Sequence, residues 1–299
     1  MKKTILFIGG LLLTMQINPA LAIDASSGYS NRSAVFTYAQ RCELLNLSQL
    51  QAVKSGQLQA RGALLRSGMT LRKVNSLRDI ADASVRDVDC ANEEALVEIE
   101  RVKKAHNTWL NMHRLPYSAK YREWITSRDT TLEERRWRVV QNIVLEEDTV
   151  VRFGSTTLQG RHSLDLVIEN NSTPKAVLLR MRDPRKLESP PNQFMRKLLK
   201  LPLDGVAGLS PPDSATNTHF ASLRVTAEPG LVSKEENTRG VRFGFDEETL
   251  EAFSVLDPRE AVSIDIYWSN GFGRKDRHKR LFVEVGDFLA ARMFAEAKD

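Results

Sequence analysis

The apolar positions of this chain change period near its middle, which predicts two halves built differently. Over residues 34–42 the order AVFTYAQRC puts Val35, Tyr38 and Cys42 on one helical face. Ser48 precedes a second helical run through Leu50, Val53, Leu58, Leu64 and Leu65 that stops at Gly68; Ser favours the first position of a helix and Gly its end. Thr70 caps a third, in which Leu71, Val74, Leu77, Ile80 and Ala81 recur three and four residues apart. The fourth begins at the Asn92 cap and places Glu93 and Glu94 where the helix dipole favours anions. Its stripe is Leu96, Ile99, Lys103, His106, Leu110 and His113, and Pro116 closes it. The pattern predicts a helical bundle over 34–116, preceded by a linker over 23–33.

Residues 117–148 are charged and aromatic, with Tyr121, Trp124 and Trp137 among Arg and Glu pairs, and read as a helical connector. From 149 to 299 the period is two. HSLDLVIEN (162–170) and KAVLLRMRD (175–183), joined by Asn171, Ser172, Thr173 and Pro174, predict a hairpin. SLRVTAEP, GVRFGFD, AVSIDIYW and RLFVEVGD follow as strands, with short helices over 245–256 and 287–297. Val241, Phe243 and Phe245 share one face of their strand, as do Ile264 and Ile266 of theirs, the alternation of an antiparallel sheet or sandwich. Only residues 183–218 break this rhythm. They hold Pro184, Pro190, Pro191, Pro202, Pro211 and Pro212, and loops this long in compact domains tend to carry function or lack order. The predicted fold class is α+β: an N-terminal disulfide-tied helical bundle, then a mainly antiparallel β-rich domain with short helices.

The first 22 residues read as an address. Lys2 and Lys3 precede an apolar run over 5–15, and Pro19, Ala20, Leu21 and Ala22 form a small-residue exit, the layout of a secretory signal peptide. That run falls short of the roughly 20 apolar residues that span a bilayer, so the mature chain is expected to have no transmembrane segment. No Cys follows Ala22 to accept a lipid. Export makes a bridge the expected state of the two cysteines, Cys42 and Cys90.

Charge adds little. The chain has 43 basic and 38 acidic residues, and without Lys2 and Lys3 the net charge is +3, so nucleic-acid binding is not expected. The excess lies early: 19 basic against 14 acidic residues over 23–145, and 22 against 24 beyond. One local cluster stands out, Arg274, Lys275, Arg277, His278, Lys279 and Arg280 after the flexible Asn270, Gly271, Phe272 and Gly273. At a hairpin tip it would display cations able to hold phosphate or carboxylate groups, or simply keep the strand ends solvated. Over 194–201, Phe194, Leu198 and Leu201 oppose Arg196, Lys197 and Lys200, as on helices that lie on membranes; eight residues is short for that, and packing over the sheet edge is the expectation.

Catalytic signatures are missing. His106 and His113 share a helix face without a third ligand, so no metal is expected, and neither H-E-x-x-H nor G-x-S-x-G occurs. His162 and Asp165 lie near Ser155 and Ser163 in sequence, yet adjacent strand residues such as His162 and Ser163 point to opposite faces. No cofactor is expected. The functional expectation is an exported, non-enzymatic binding or assembly module of a bacterial-type cell envelope, in the periplasm or secreted. Its β-domain loops would engage an envelope component, either a protein or an anionic polymer or lipid headgroup. The alternative is an envelope hydrolase whose site is assembled only in three dimensions.

Overall fold

The computed structural model describes residues 21–128, 133–146, 149–169, 174–233, 239–270 and 275–297. The predicted signal peptide lies outside them, apart from its last two positions. The fold is α+β, and the described chain divides near His113 into a helical unit and a β unit, Arg114–Ala295.

The helical unit is built from α1 (Leu21–Arg41), α2 (Leu47–Arg66), α3 (Leu71–Val85) and α4 (Glu93–Leu110). Thr70 and Asn92 cap α3 and α4 as predicted, accepting from the Lys73 and Ala95 amides. Asn46, not Ser48, caps α2, because its side chain and that of Gln49 each accept the other's backbone N–H. The helix α4 stops at Leu110 with Asn111 as its C-cap, well before Pro116. Residues 23–33 are helix and not linker. Their Ser, Gly and Asn content gives little intrinsic helix propensity, but Tyr29 is buried against Ala60, Leu64, Leu65 and Val74. Ser33 donates to the Tyr29 carbonyl and accepts from the buried Gln57 amide, so tertiary contacts hold the helix that the local sequence does not. A second cluster gathers Val35, Tyr38, Ala39, Val85 and Ile99. The Cys42–Cys90 disulfide, with Cα atoms 5.6 Å apart, ties the end of α1 to the approach to α4.

The β unit contains β1 (Arg114–Ser118), β2 (Glu123–Ser127), β3 (Arg136–Glu146), β4 (Thr149–Leu158), β5 (Arg161–Glu169), β6 (Ala176–Arg182), β7 (Thr216–Phe220), β8 (Leu223–Thr226), β9 (Gly240–Phe245), β10 (Ala261–Trp268) and β11 (Arg277–Glu284). The helices α5 (Gln193–Leu198), α6 (Glu247–Ser254) and α7 (Phe288–Glu296) interrupt or follow them. Every pairing is antiparallel. The larger sheet runs β1-β2-β3-β4-β5-β9-β8 and the smaller β11-β10-β6-β7.

Two sequence expectations fail here. The stretch read as a helical connector is β1, β2 and β3: Trp124 and Thr126 alternate into the core, while a bulge between Trp137 and Val139 hides the alternation of β3. The β5–β6 hairpin does not form. β5 lies between β4 and β9, and β6 between β10 and β7, so the connection carries the chain from one sheet to the other. The physical reason is burial on both faces of β5, where Leu164, Asp165, Leu166, Val167 and Ile168 are all closed off and the β9 register satisfies the backbone. The turn residues 171–173 lie outside the described residues.

Trp124 organises the core. Its ring packs edge-on to Phe288 at 4.9 Å and Phe253 at 6.0 Å and tilts against Phe153 at 6.5 Å, and its indole N–H donates to the Val285 carbonyl at 2.9 Å. Gly154 faces the β3 bulge, where a Cβ atom would come within 1.9 Å of the Val139 carbonyl oxygen. The sheets are joined at Glu284 of β11, whose amide donates to the Gln141 side chain of β3 and whose buried carboxylate accepts the Lys120 and Tyr121 amides of the β1–β2 turn. Burial pushes the Glu284 carboxyl up in pKa, and those amides oppose the shift. The outer face of the larger sheet is covered by 227–232, with Leu231 packed on Trp137 and Val167.

Candidate functional site

Four of the five described members of the basic cluster lie in a strand and not at a loop tip. Arg277, His278, Lys279 and Arg280 belong to β11 and Lys275 precedes it, exposed, while Arg274 lies outside the described residues. The pleat then divides them. Arg277 faces the way of Trp268 and sits 4.5 Å over its ring, and Lys279 donates to the Leu145 carbonyl. His278 and Arg280 take the opposite face, with His278 stacked on Tyr267 at 4.7 Å.

On that face the cations meet an acid that sequence reasoning placed only as a strand residue. Asp265 of β10 is fully buried. It accepts from Arg280 Nε at 2.7 Å, from Arg180 Nε of β6 at 2.7 Å and interacts with His278 Nε2 at 2.8 Å. Arg280 also reaches both oxygens of Asp213 at 3.0 Å, and Arg180 reaches Thr218 at 3.2 Å. The available signal was the strand itself, since aspartate is disfavoured in strand interiors and one flanked by Ile264 and Ile266 needs a partner. Burial alone would raise the Asp265 carboxyl, but hydrogen bonds from Arg280, Arg180 and His278 outweigh it and hold the group well below the usual carboxylate range. The same Asp265 hydrogen bonds raise Arg280. Two arginines against two carboxylates make a balanced network in which each guanidinium is already engaged. Asp265 orients His278 as a carboxylate does in hydrolytic sites, yet no hydroxyl or thiol hydrogen-bonds to His278 among the described residues.

A depressed carboxyl is a stability statement. Asp265 stabilises the fold fully above the ordinary aspartate pKa of about 3.9, and that contribution is lost as pH falls through the lower folded value. The β unit should therefore lose stability below about pH 4, and Asp265→Asn should flatten this part of a stability–pH profile measured by urea unfolding.

The other sequence candidates are also placed. His106 is buried in α4, with Nε2 2.9 Å from the Ser48 hydroxyl, whereas His113 is exposed beyond the helix end, so the two are not presented together. Ser163 donates to Asp165 at 2.7 Å while His162 takes the opposite face of β5. Asp165 instead binds Arg242 of β9 at 2.9 Å, within a polar layer that includes Arg135 and Glu228.

Comparison with known proteins gives no matching family model, no matching curated protein and no matching solved structure.

The Pro-rich stretch offers the more unusual surface. Asn192 caps α5 by accepting the Met195 amide. One of its cations turns inward: Arg196 is 4% exposed and donates to the carbonyls of Pro202 at 2.8 Å, Ser210 at 2.7 Å and Ala207 at 3.2 Å. Burial lowers the Arg196 pKa from its ordinary value. At the root of the loop a second arginine does the same work, Arg182 donating to the Leu187 and Glu188 carbonyls and pairing with buried Glu260 at 2.8 Å. The apolar side chains go outward. Phe194 is 72% exposed and Leu198 65%, and Met195, Leu199 and Leu203 are also exposed. The expected packing of Phe194 and Leu198 over the sheet edge does not occur, because three carbonyls in one loop claim the guanidinium and the helix must face them.

Proposed function

We propose that this protein is an exported, non-enzymatic binding module of the cell envelope that engages its partner through the loop of residues 183–218. The carrying observation is the inverted α5: two arginines brace the loop from within by backbone carbonyls, and five large apolar side chains face solvent. Fixing such side chains in water is unfavourable unless something covers them, and braced loops with exposed apolar groups are a common form of recognition surface. Export is supported by the Cys42–Cys90 bridge, which persists in oxidising compartments, and by the signal-like pattern over 1–22. No described helix is long and apolar enough to cross a membrane. The basic strand β11 contributes less, since Asp265 and Asp213 already hold Arg280.

Co-sedimentation of the purified protein with isolated envelope fractions tests this reading. Wild-type protein should pellet with the envelope, and the double variant Phe194→Ser, Leu198→Ser should stay in the supernatant with an unchanged circular dichroism spectrum. Equal pelleting of the two would remove the loop as the contact surface.

A further inference from the structure

We infer that the α5 loop docks by inserting its apolar side chains into an anionic lipid surface. The inference rests on the binding-module reading above and names the component that the loop engages.

Exposure and charge favour a bilayer over a folded partner. The apolar side chains stand exposed on a six-residue helix and the turn after it, Phe194 at 72% and Leu198 at 65%, so they offer contacts that project into solvent. Between Glu188 and Asp204 the sequence holds no acid and three bases. One, Arg196, is sequestered by carbonyls, leaving exposed Lys197 and Lys200 beside Phe194, Met195, Leu198 and Leu199. An apolar tip set among lysines matches a surface whose interior is hydrocarbon and whose boundary is phosphate. The brace matters to the energetics, because a loop already fixed loses little conformational entropy on docking. A free eight-residue segment of this composition would not fold on a membrane alone. Phe194 and Leu198 provide depth, and Lys197 and Lys200 provide the headgroup contacts.

Flotation of the purified protein with vesicles of phosphatidylcholine alone, and of phosphatidylcholine mixed equally with phosphatidylglycerol, tests the inference. Wild-type protein should float with the phosphatidylglycerol vesicles at low salt, and float less as salt rises. Lys197→Ala with Lys200→Ala should weaken partitioning by about 30-fold. Phe194→Ser with Leu198→Ser should weaken it by more than about 100-fold. In Phe194→Trp, tryptophan emission should shift to the blue on adding the same vesicles by more than it does in wild-type protein. All substitutions are at exposed positions, so an unchanged thermal midpoint checks the fold.

Absence of flotation with either vesicle, or flotation indifferent to Phe194 and Leu198, overturns the lipid assignment. If vesicles fail while envelope fractions still retain the protein through Phe194, the partner is a protein and the binding-module reading stands. Failure of both assays removes both. A wild-type dimer in sedimentation equilibrium that becomes a monomer in Phe194→Ser, Leu198→Ser would show that a second copy covers the loop, and would also overturn the lipid assignment.

Discussion

Replacing Cys42 and Cys90 by Ser should destabilise the helical unit by about 4 kcal/mol, the chain-entropy effect of opening a loop with ends 48 residues apart. Against the roughly 5–15 kcal/mol that holds a typical domain together, that is a large fraction. The helical unit has little reserve, since its buried apolar residues fall into two modest clusters, one around Tyr38 and Ile99 and one around Tyr29 and Leu64. The bridge also fixes the site where Tyr38 donates to the Asp89 carbonyl, a contact between the same two chain segments. Urea unfolding followed by far-ultraviolet circular dichroism, with and without reductant, should show the helical signal lost at lower denaturant in the double variant and in reduced wild type. Coincident curves for oxidised and reduced protein would mean that the helices hold each other without the bridge.

The second large effect is expected at Asp165. Its fully buried carboxylate accepts from Arg242 Nη1 at 2.9 Å, from the Ser163 hydroxyl at 2.7 Å and from the Thr156 hydroxyl, with Arg135 Nη1 at 3.7 Å. Arg242 is itself only 5% exposed and keeps just Glu228 if Asp165 is removed. Deleting one member of such a pair strands the other charge away from water, at a cost of about 3–5 kcal/mol. Asp165→Ala should therefore lower the unfolding midpoint of the β unit sharply. Asp165→Asn, which keeps an acceptor for the hydroxyls, should fall between that variant and wild type. A midpoint for Asp165→Ala within error of wild type would show that Glu228 and solvent compensate Arg242 in full.

The parts of the fold legible in the sequence are those set by local chemistry. Thr70 and Asn92 announced α3 and α4 because a capping side chain acts within its own turn. β9 and β10 were legible because their alternation is uninterrupted. The misreadings share a cause in contacts distant along the chain. Nothing near residues 23–33 reveals that Tyr29 will meet Leu64 and Val74. β3 lost its period at the bulge that Gly154 accommodates from the neighbouring strand. The candidate site follows the same division. Its cations were visible as a run, but their neutraliser Asp265 comes into register only when β10 and β11 pair, and Arg180 arrives from β6, 85 residues before Asp265. For α5 the expected division into an apolar and a basic face does not hold: Arg196 alone is buried, while Lys197 and Lys200 stay exposed with Phe194 and Leu198, since the three carbonyls that capture Arg196 belong to residues with no side-chain signal.

The exchange of the chain between sheets at the β5–β6 connection has a kinetic meaning. Both neighbours of β6 lie downstream: β7 follows after a long loop, and Ile266 of β10 is the residue that comes opposite Val177. Val177 and Leu179, buried in the finished structure, lack their β10 neighbours until residues 261–268 are available. The smaller sheet thus closes late and through long-range pairings, which makes its formation slow relative to that of the helices. For that interval the edge of β6 that β10 will cover is open, with free backbone donors, the form most prone to wrong pairing. Because synthesis proceeds from the N-terminus, the helical unit is complete before the strands that close the smaller sheet exist.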